Sequence, residues 1–112
     1  KNTIMAGLDC GTVSKVAWGI LKNYVHYSLA ISDSFTKRAM RLLAHPIKDD
    51  NAIIAGESGA GGMAGLLALY ENKMYMENCF LTSSTTALLI NTEGDTDPHS
   101  YNKIIRKENK RW

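Results

Sequence analysis

Two short loops carry the residues best suited to chemistry. Gly56-Glu57-Ser58-Gly59 follows the apolar run Ala52-Ile53-Ile54-Ala55, and Asn91-Thr92-Glu93-Gly94-Asp95-Thr96-Asp97 follows the apolar run Ala87-Leu88-Leu89-Ile90. Both loops lead into stretches with helical signals. In open parallel sheets, ligands bind outside the carboxyl ends of the strands. A helix start there offers unpaired N–H groups to an anion, and glycine lets a ligand approach the backbone. The two loops can therefore line one cleft. Gly, Asn, Asp, Ser and Thr also favour ordinary turns, so a purely connecting role fits the same composition.

Other chemistry finds little support. Cys10 and Cys79 lie far apart in no paired motif, and His26, His45 and His99 have no ligand spacing, so neither a zinc site nor a disulfide framework is expected. Gly59-Ala60-Gly61-Gly62-Met63-Ala64 fits G-x-G-x-x-A at a helix start, the form of a dinucleotide fingerprint. The match begins inside the turn, however, and Glu77 is the nearest candidate for the acidic residue expected about 20 positions on. Small residues that let a helix pack close to its neighbours account for the same letters. Lys103, Arg106, Lys107, Lys110 and Arg111 concentrate basic charge near the end, against Glu108 alone. With no aromatic interleaving, this reads as a solvated helix end favoured by the dipole rather than a nucleic-acid surface.

The elements that must position the two loops follow from periodicity. Thr12 or Ser14 can cap a helix beginning near Val13, with Ala17, Ile20, Leu21 and Tyr24 on its apolar face and Gly19 weakening it. Val25, Tyr27, Leu29 and Ile31 alternate as in a strand. Asp33 is a suitable cap for a helix with Phe35, Ala39, Leu42 and Leu43 on one face, ended by His45-Pro46. A small-residue helix follows Gly59 and runs to about Glu71. Residues 74–80 are open between helix and loop, and Ile4 to Leu8 between strand and tight loop. Asp97-Pro98 starts the last helix, with Tyr101, Ile104 and Ile105 on its apolar face. Strands alternating with helices, two of them apolar throughout, indicate an α/β class: part of an open, mostly parallel sheet with flanking helices.

At 112 residues the chain has room for one domain at most. Its 45% apolar and 21% charged residues exclude intrinsic disorder. No apolar run approaches the ~20 residues of a membrane span, and the start lacks the charged-then-apolar pattern of a secretory signal. The expectation is a cytoplasmic chain with reduced thiols and no membrane partner.

Read together, the motifs resemble a known family. Ile54-Ala55-Gly56-Glu57-Ser58-Gly59-Ala60 with Ala64-Gly65-Leu66 is similar to the glutamate-centred segment of fold-type II pyridoxal-phosphate enzymes, as in threonine dehydratase-like members. Thr3-Ile4-Met5-Ala6-Gly7-Leu8 resembles another segment of the same enzymes. Gly7-Leu8-Asp9-Cys10-Gly11, Ala39-Met40-Arg41-Leu42-Leu43-Ala44 and Leu88 to Pro98 narrow the resemblance to the diaminopropionate ammonia-lyase family, over nearly the whole chain. Departures are Gly19, where proline is usual, Gly61-Gly62-Met63 in place of a Val-Gly-Leu run, and residues 73–86.

The resemblance implies a tryptophan synthase β-like fold, pyridoxal 5'-phosphate as cofactor, and conversion of 2,3-diaminopropionate to pyruvate and ammonia by α,β-elimination. It makes residues 1–112 one segment, the C-terminal part of the catalytic large domain of a longer enzyme whose parent is a homodimer. It implies cofactor contacts from Thr92, which meets the pyridine nitrogen, from Asn91 if the register shifts by one, and from Glu57 and Gly56 near the ring edge. The Schiff-base lysine and the phosphate loop lie upstream of the matched region. None of Lys15, Lys22 and Lys37 has a glycine-rich partner, so this segment contains no catalytic lysine and is expected to be inactive alone. The alternatives are another fold-type II lyase of threonine or serine dehydratase type, a noncatalytic nucleotide-binding module, or a self-associating fragment with an open sheet edge.

Overall fold

The computed structural model describes residues 3–106. After a 3-10 turn at Ala6–Leu8 come α1 (Lys15–Tyr24), α2 (Asp33–Ala44), α3 (Gly61–Tyr70), α4 (Lys73–Asn78) and α5 (Pro98–Ile105). Each start has a local cause. Ser14 accepts from the Ala17 N–H at 3.3 Å and begins α1. Asn72 accepts from the Tyr75 N–H and begins α4 in the segment left open above. Asp97 accepts from the N–H groups of His99 and Ser100, both at 3.1 Å, with Pro98 in the first turn of α5. Asp33 behaves differently from the cap expected of it. Ser32 holds the cap position, and the Asp33 carboxylate accepts from the Thr3 hydroxyl and the Ile4 N–H, tying the N-terminal segment to the start of α2.

Helices α2, α3 and α5 pack around a buried cluster of Ala39, Met40, Ala55, Ala60, Ala64, Tyr101 and Ile104. Thr36, buried beside it, donates its hydroxyl to the Met5 sulfur at 3.0 Å. Burial first, and then the charge of Asp95, hold the Tyr101 phenol above its ordinary pKa. Arg41 Nε donates to the Ile104 carbonyl at 2.8 Å, and the His45 ring lies 3.1 Å from the Ile105 carbonyl. The end of α5 thus receives from α2 the guanidinium its dipole favours. Of the terminal basic cluster, Lys103 and Arg106 are exposed, while Lys107, Lys110 and Arg111 lie outside the described residues.

The expected sheet is corrected by the structure. Among the described residues there is no strand: 25–32, 51–56 and 85–95 form neither helix nor ladder. A strand exists only with a neighbour to bond to, and parallel neighbours must be supplied across a crossover. The apolar runs find other partners or none. The Ile53 N–H donates to the Leu43 carbonyl at the end of α2, at 2.8 Å, and the Gly56 N–H donates to the Glu93 carbonyl at 2.9 Å. Ile54, Leu88 and Ile90 stay 56%, 89% and 73% exposed. Between α3 and these runs lies an open apolar cavity of about 940 Å³, lined by Gly61, Gly62 and Gly65 on one side and Leu29, Ile31 and Leu89 on the other. No described helix is long and apolar enough to cross a membrane.

Candidate functional site

The two glycine-containing loops meet. Besides the Gly56–Glu93 backbone bond, the Asn91 amide donates from Nδ2 to the Ile54 carbonyl at 2.9 Å and accepts from the Glu93 N–H at 3.2 Å. The Glu93 carboxylate then reaches into the 56–59 turn. Its Oε2 accepts from the N–H groups of Ser58, at 2.6 Å, and Gly59, at 2.9 Å. These are two of the unpaired donors that precede α3, and a carboxylate is the partner they favour. The Thr96 hydroxyl approaches the other oxygen at 3.4 Å.

The glycines are required by this contact. A Cβ at Gly56 would overlap the Gly94 carbonyl oxygen, and one at Gly59 would overlap the Asn91 side chain and stand 2.6 Å from the Glu93 carbonyl oxygen. The Gly7 N–H donates to the Ser58 hydroxyl at 2.9 Å, bringing the N-terminal segment to the same turn. Ser100, in the first turn of α5, donates its hydroxyl to Glu57 Oε1 at 2.8 Å. Three segments therefore converge on residues 56–59.

The nominated residues divide within this frame. Glu57 is half-buried and held from α5. Gly56 is buried under the 91–94 loop. Asn91 spends its amide on bridging the loops. Thr92 is exposed, and among the described residues its hydroxyl has no hydrogen-bond partner. The arrangement thus offers one anchored carboxylate and one available hydroxyl on adjoining loops. Sequence reasoning did not single out Glu93, Ser58 or Ser100. The available signal for Glu93 was an acidic side chain just after an apolar run, in a loop able to face a glycine turn at a helix start. Cys10 and Cys79 are free, and among the described residues no group of three or more His, Cys, Asp and Glu side chains is placed to hold a metal.

No model of a known protein family matches the chain. Individual proteins do. Diaminopropionate ammonia-lyase of Escherichia coli strain K12 is 39% identical over 106 residues, 92% of this chain and 27% of that enzyme. The crystal structure of the E. coli enzyme in complex with an aminoacrylate-PLP azomethine reaction intermediate superposes with a TM-score of 0.85 at 38% identity, covering 93% of this chain and 28% of the other. The same enzyme in complex with D-serine gives 0.85 over 95% and 28%. In sequence and in backbone alike, this chain is similar to diaminopropionate ammonia-lyase, and it spans about 27% of that enzyme's length.

Proposed function

We propose that the chain is the C-terminal portion, within the large catalytic domain, of a pyridoxal-phosphate-dependent ammonia-lyase that converts 2,3-diaminopropionate to pyruvate and ammonia. The observation that carries this is 38% identity with a TM-score of 0.85 to that lyase over 93% of the chain. The reading brings with it the open, mostly parallel sheet of such enzymes, its other strands coming from outside this chain. It also brings a cytoplasmic homodimer acting on a free amino acid.

The side chains on the two loops fit one side of the cofactor and not the other. Pyridoxal phosphate, when bound, supplies an electron sink for charge developing at the substrate α-carbon. Thr92 presents an available hydroxyl suited to the pyridine nitrogen, and as a neutral partner it leaves that nitrogen without a proton. Glu57, fixed by Ser100, suits the ring edge, where it orients the ring or holds a proton. Asn91 and Gly56 support those positions by joining the loops. A phosphate group fits poorly at the 56–59 turn, because Glu93 already accepts from the Ser58 and Gly59 N–H groups. On this reading the phosphate and lysine anchors come from the part of the enzyme beyond this segment.

The experiment compares the 112-residue chain, alone and joined to the matching remainder of the E. coli lyase, with pyridoxal phosphate and 2,3-diaminopropionate, serine or threonine. The joined protein should release pyruvate fastest from diaminopropionate, and the chain alone should show neither turnover nor a borohydride-reducible lysine adduct. Preference for threonine or serine in the joined protein would move the assignment to a dehydratase. Robust turnover by the chain alone would overturn the missing-lysine argument.

A further inference from the structure

Thr92 has no side-chain anchor of its own among the described residues, so its placement depends on its neighbours in the loop. Glu93 binds the opposite turn through both backbone and side chain. Its carbonyl accepts from the Gly56 N–H at 2.9 Å, and its Oε2 accepts from Ser58 and Gly59 at 2.6 and 2.9 Å. A backbone contact to one donor fixes where the loop lies; the side-chain contact to two further donors fixes its rotation about its own axis. Hydrogen bonds to an ionised acceptor are the stronger kind. The turn is shaped to receive this loop, because side chains at Gly56 and Gly59 would occupy the space of residues 91, 93 and 94.

We propose that Glu93 is a positioning residue: it clamps the 91–97 loop onto the 56–59 turn and so sets the Thr92 hydroxyl relative to the Glu57 carboxylate. The inference rests on the reading of Thr92 and Glu57 as ring-facing. It gives the conspicuous glycines of the turn a task distinct from cradling a ligand, namely admission of the neighbouring loop.

The test places Glu93→Gln in the chain joined to the matching remainder of the E. coli lyase, with Arg38→Ala as control because Arg38 ties α2 to α3 rather than the two loops. Glutamine keeps the size and can offer one oxygen to the same two N–H groups, but it removes the negative charge that strengthens both bonds. Glu93→Gln should shift the absorption and fluorescence maxima of the bound cofactor. It should also lower kcat/KM about tenfold or more, the scale expected when a contact group moves by about an ångström. Arg38→Ala should move neither, whatever it does to thermal stability. Hydrogen exchange of the 112-residue chain itself should quicken at Ser58 and Gly59 in the Glu93→Gln variant alone. Should that variant not fold in the joined protein, Glu93→Asp, which keeps the charge on a shorter reach, should give a smaller shift in the same direction.

An unchanged cofactor spectrum with unchanged kcat/KM, or unchanged exchange at residues 58 and 59, would overturn the clamp while leaving the proposed function standing. A joined protein that folds without Glu93 altered, yet binds no pyridoxal phosphate, would overturn the function and the inference with it.

Discussion

Met40 on α2 is fully buried, packed with Ala39, Ala64, Tyr101 and Ile104, whereas Leu88 and Ile90 stand 89% and 73% exposed. The two regions are similarly apolar in sequence and opposite in fate. The first is satisfied by contacts within the chain, from α2, α3 and α5. The second has the composition of strands buried on both faces, yet among the described residues it forms no ladder. On the proposed reading, the rest of the lyase covers the second region. The loops bearing Glu57 and Thr92 are bonded to each other within this chain.

The sharpest way to break that comparison is to truncate one residue on each side. Met40→Ala should destabilise the 112-residue chain by about 2–5 kcal/mol in urea unfolding, the usual range for a buried large apolar side chain. Leu88→Ala should change it by no more than about 0.5 kcal/mol, as an exposed position does. Joined to the remainder of the lyase, Leu88→Ala should become costly while Met40→Ala changes little. A small Leu88→Ala effect in both settings would mean that this side is never covered, and the severed-sheet picture would fail.

The same division decides what could be read from the residues. Helix starts at Ser14 and Asp97 were legible because a cap is a local event: a side-chain oxygen and an N–H two or three residues on. Of the stripe Phe35, Ala39, Leu42 and Leu43, Ala39 is buried and Phe35 and Leu43 pack against the core, because α2 meets its partners inside the chain; Thr36 and Met40, fully buried on the same helix, lay outside that stripe. The strands were not realised, because among the described residues Ala87 to Ile90 finds no neighbour to form a ladder with, and a run of apolar residues does not by itself specify one. The site was legible in part. Its two loops stood out through glycine and polar content, and they do meet. The clamp escaped notice because hydrogen bonding of Glu93 to Ser58 and Gly59 joins residues 35 and 34 positions apart, and no short-range pattern encodes such a pairing. Asp33 shows the same limit at smaller scale, since its partners Thr3 and Ile4 outbid the cap role that its position suggests.

A smaller effect tests the packed side at its edge. Asp97→Ala leaves the first N–H groups of α5 without their acceptor and should cost about 1 kcal/mol. Because α5 carries Tyr101 and Ile104 into the core and Ser100 to Glu57, the loss should appear both in the unfolding midpoint and as faster hydrogen exchange across α5. Loss of stability with α5 exchange unchanged would show that the cap acts elsewhere than on this helix.

The smallest effect concerns what holds α2 to α3. Arg38 Nη2 lies 2.6 Å from Glu71 Oε1, with both side chains partly exposed, and the guanidinium also covers the Phe35 ring at 5.5 Å. The hydrogen bond from Arg38 holds the Glu71 carboxyl below its ordinary pKa, and the same bond raises that of Arg38. A carboxyl depressed in the folded state adds stability above its unfolded pKa, and that stability is lost as pH falls through the folded value. The unaltered chain should therefore lose slightly more stability than Arg38→Ala between about pH 5 and about pH 3, and the difference should shrink in high salt. The effect stays small because water screens an exposed pair. If Ala39, Met40 and Ala64 carry the α2–α3 contact, Arg38→Ala will leave the fold intact at neutral pH. Parallel pH curves would remove the ion pair from the account, and unfolding of Arg38→Ala at neutral pH would overturn the claim that this side rests on its apolar core.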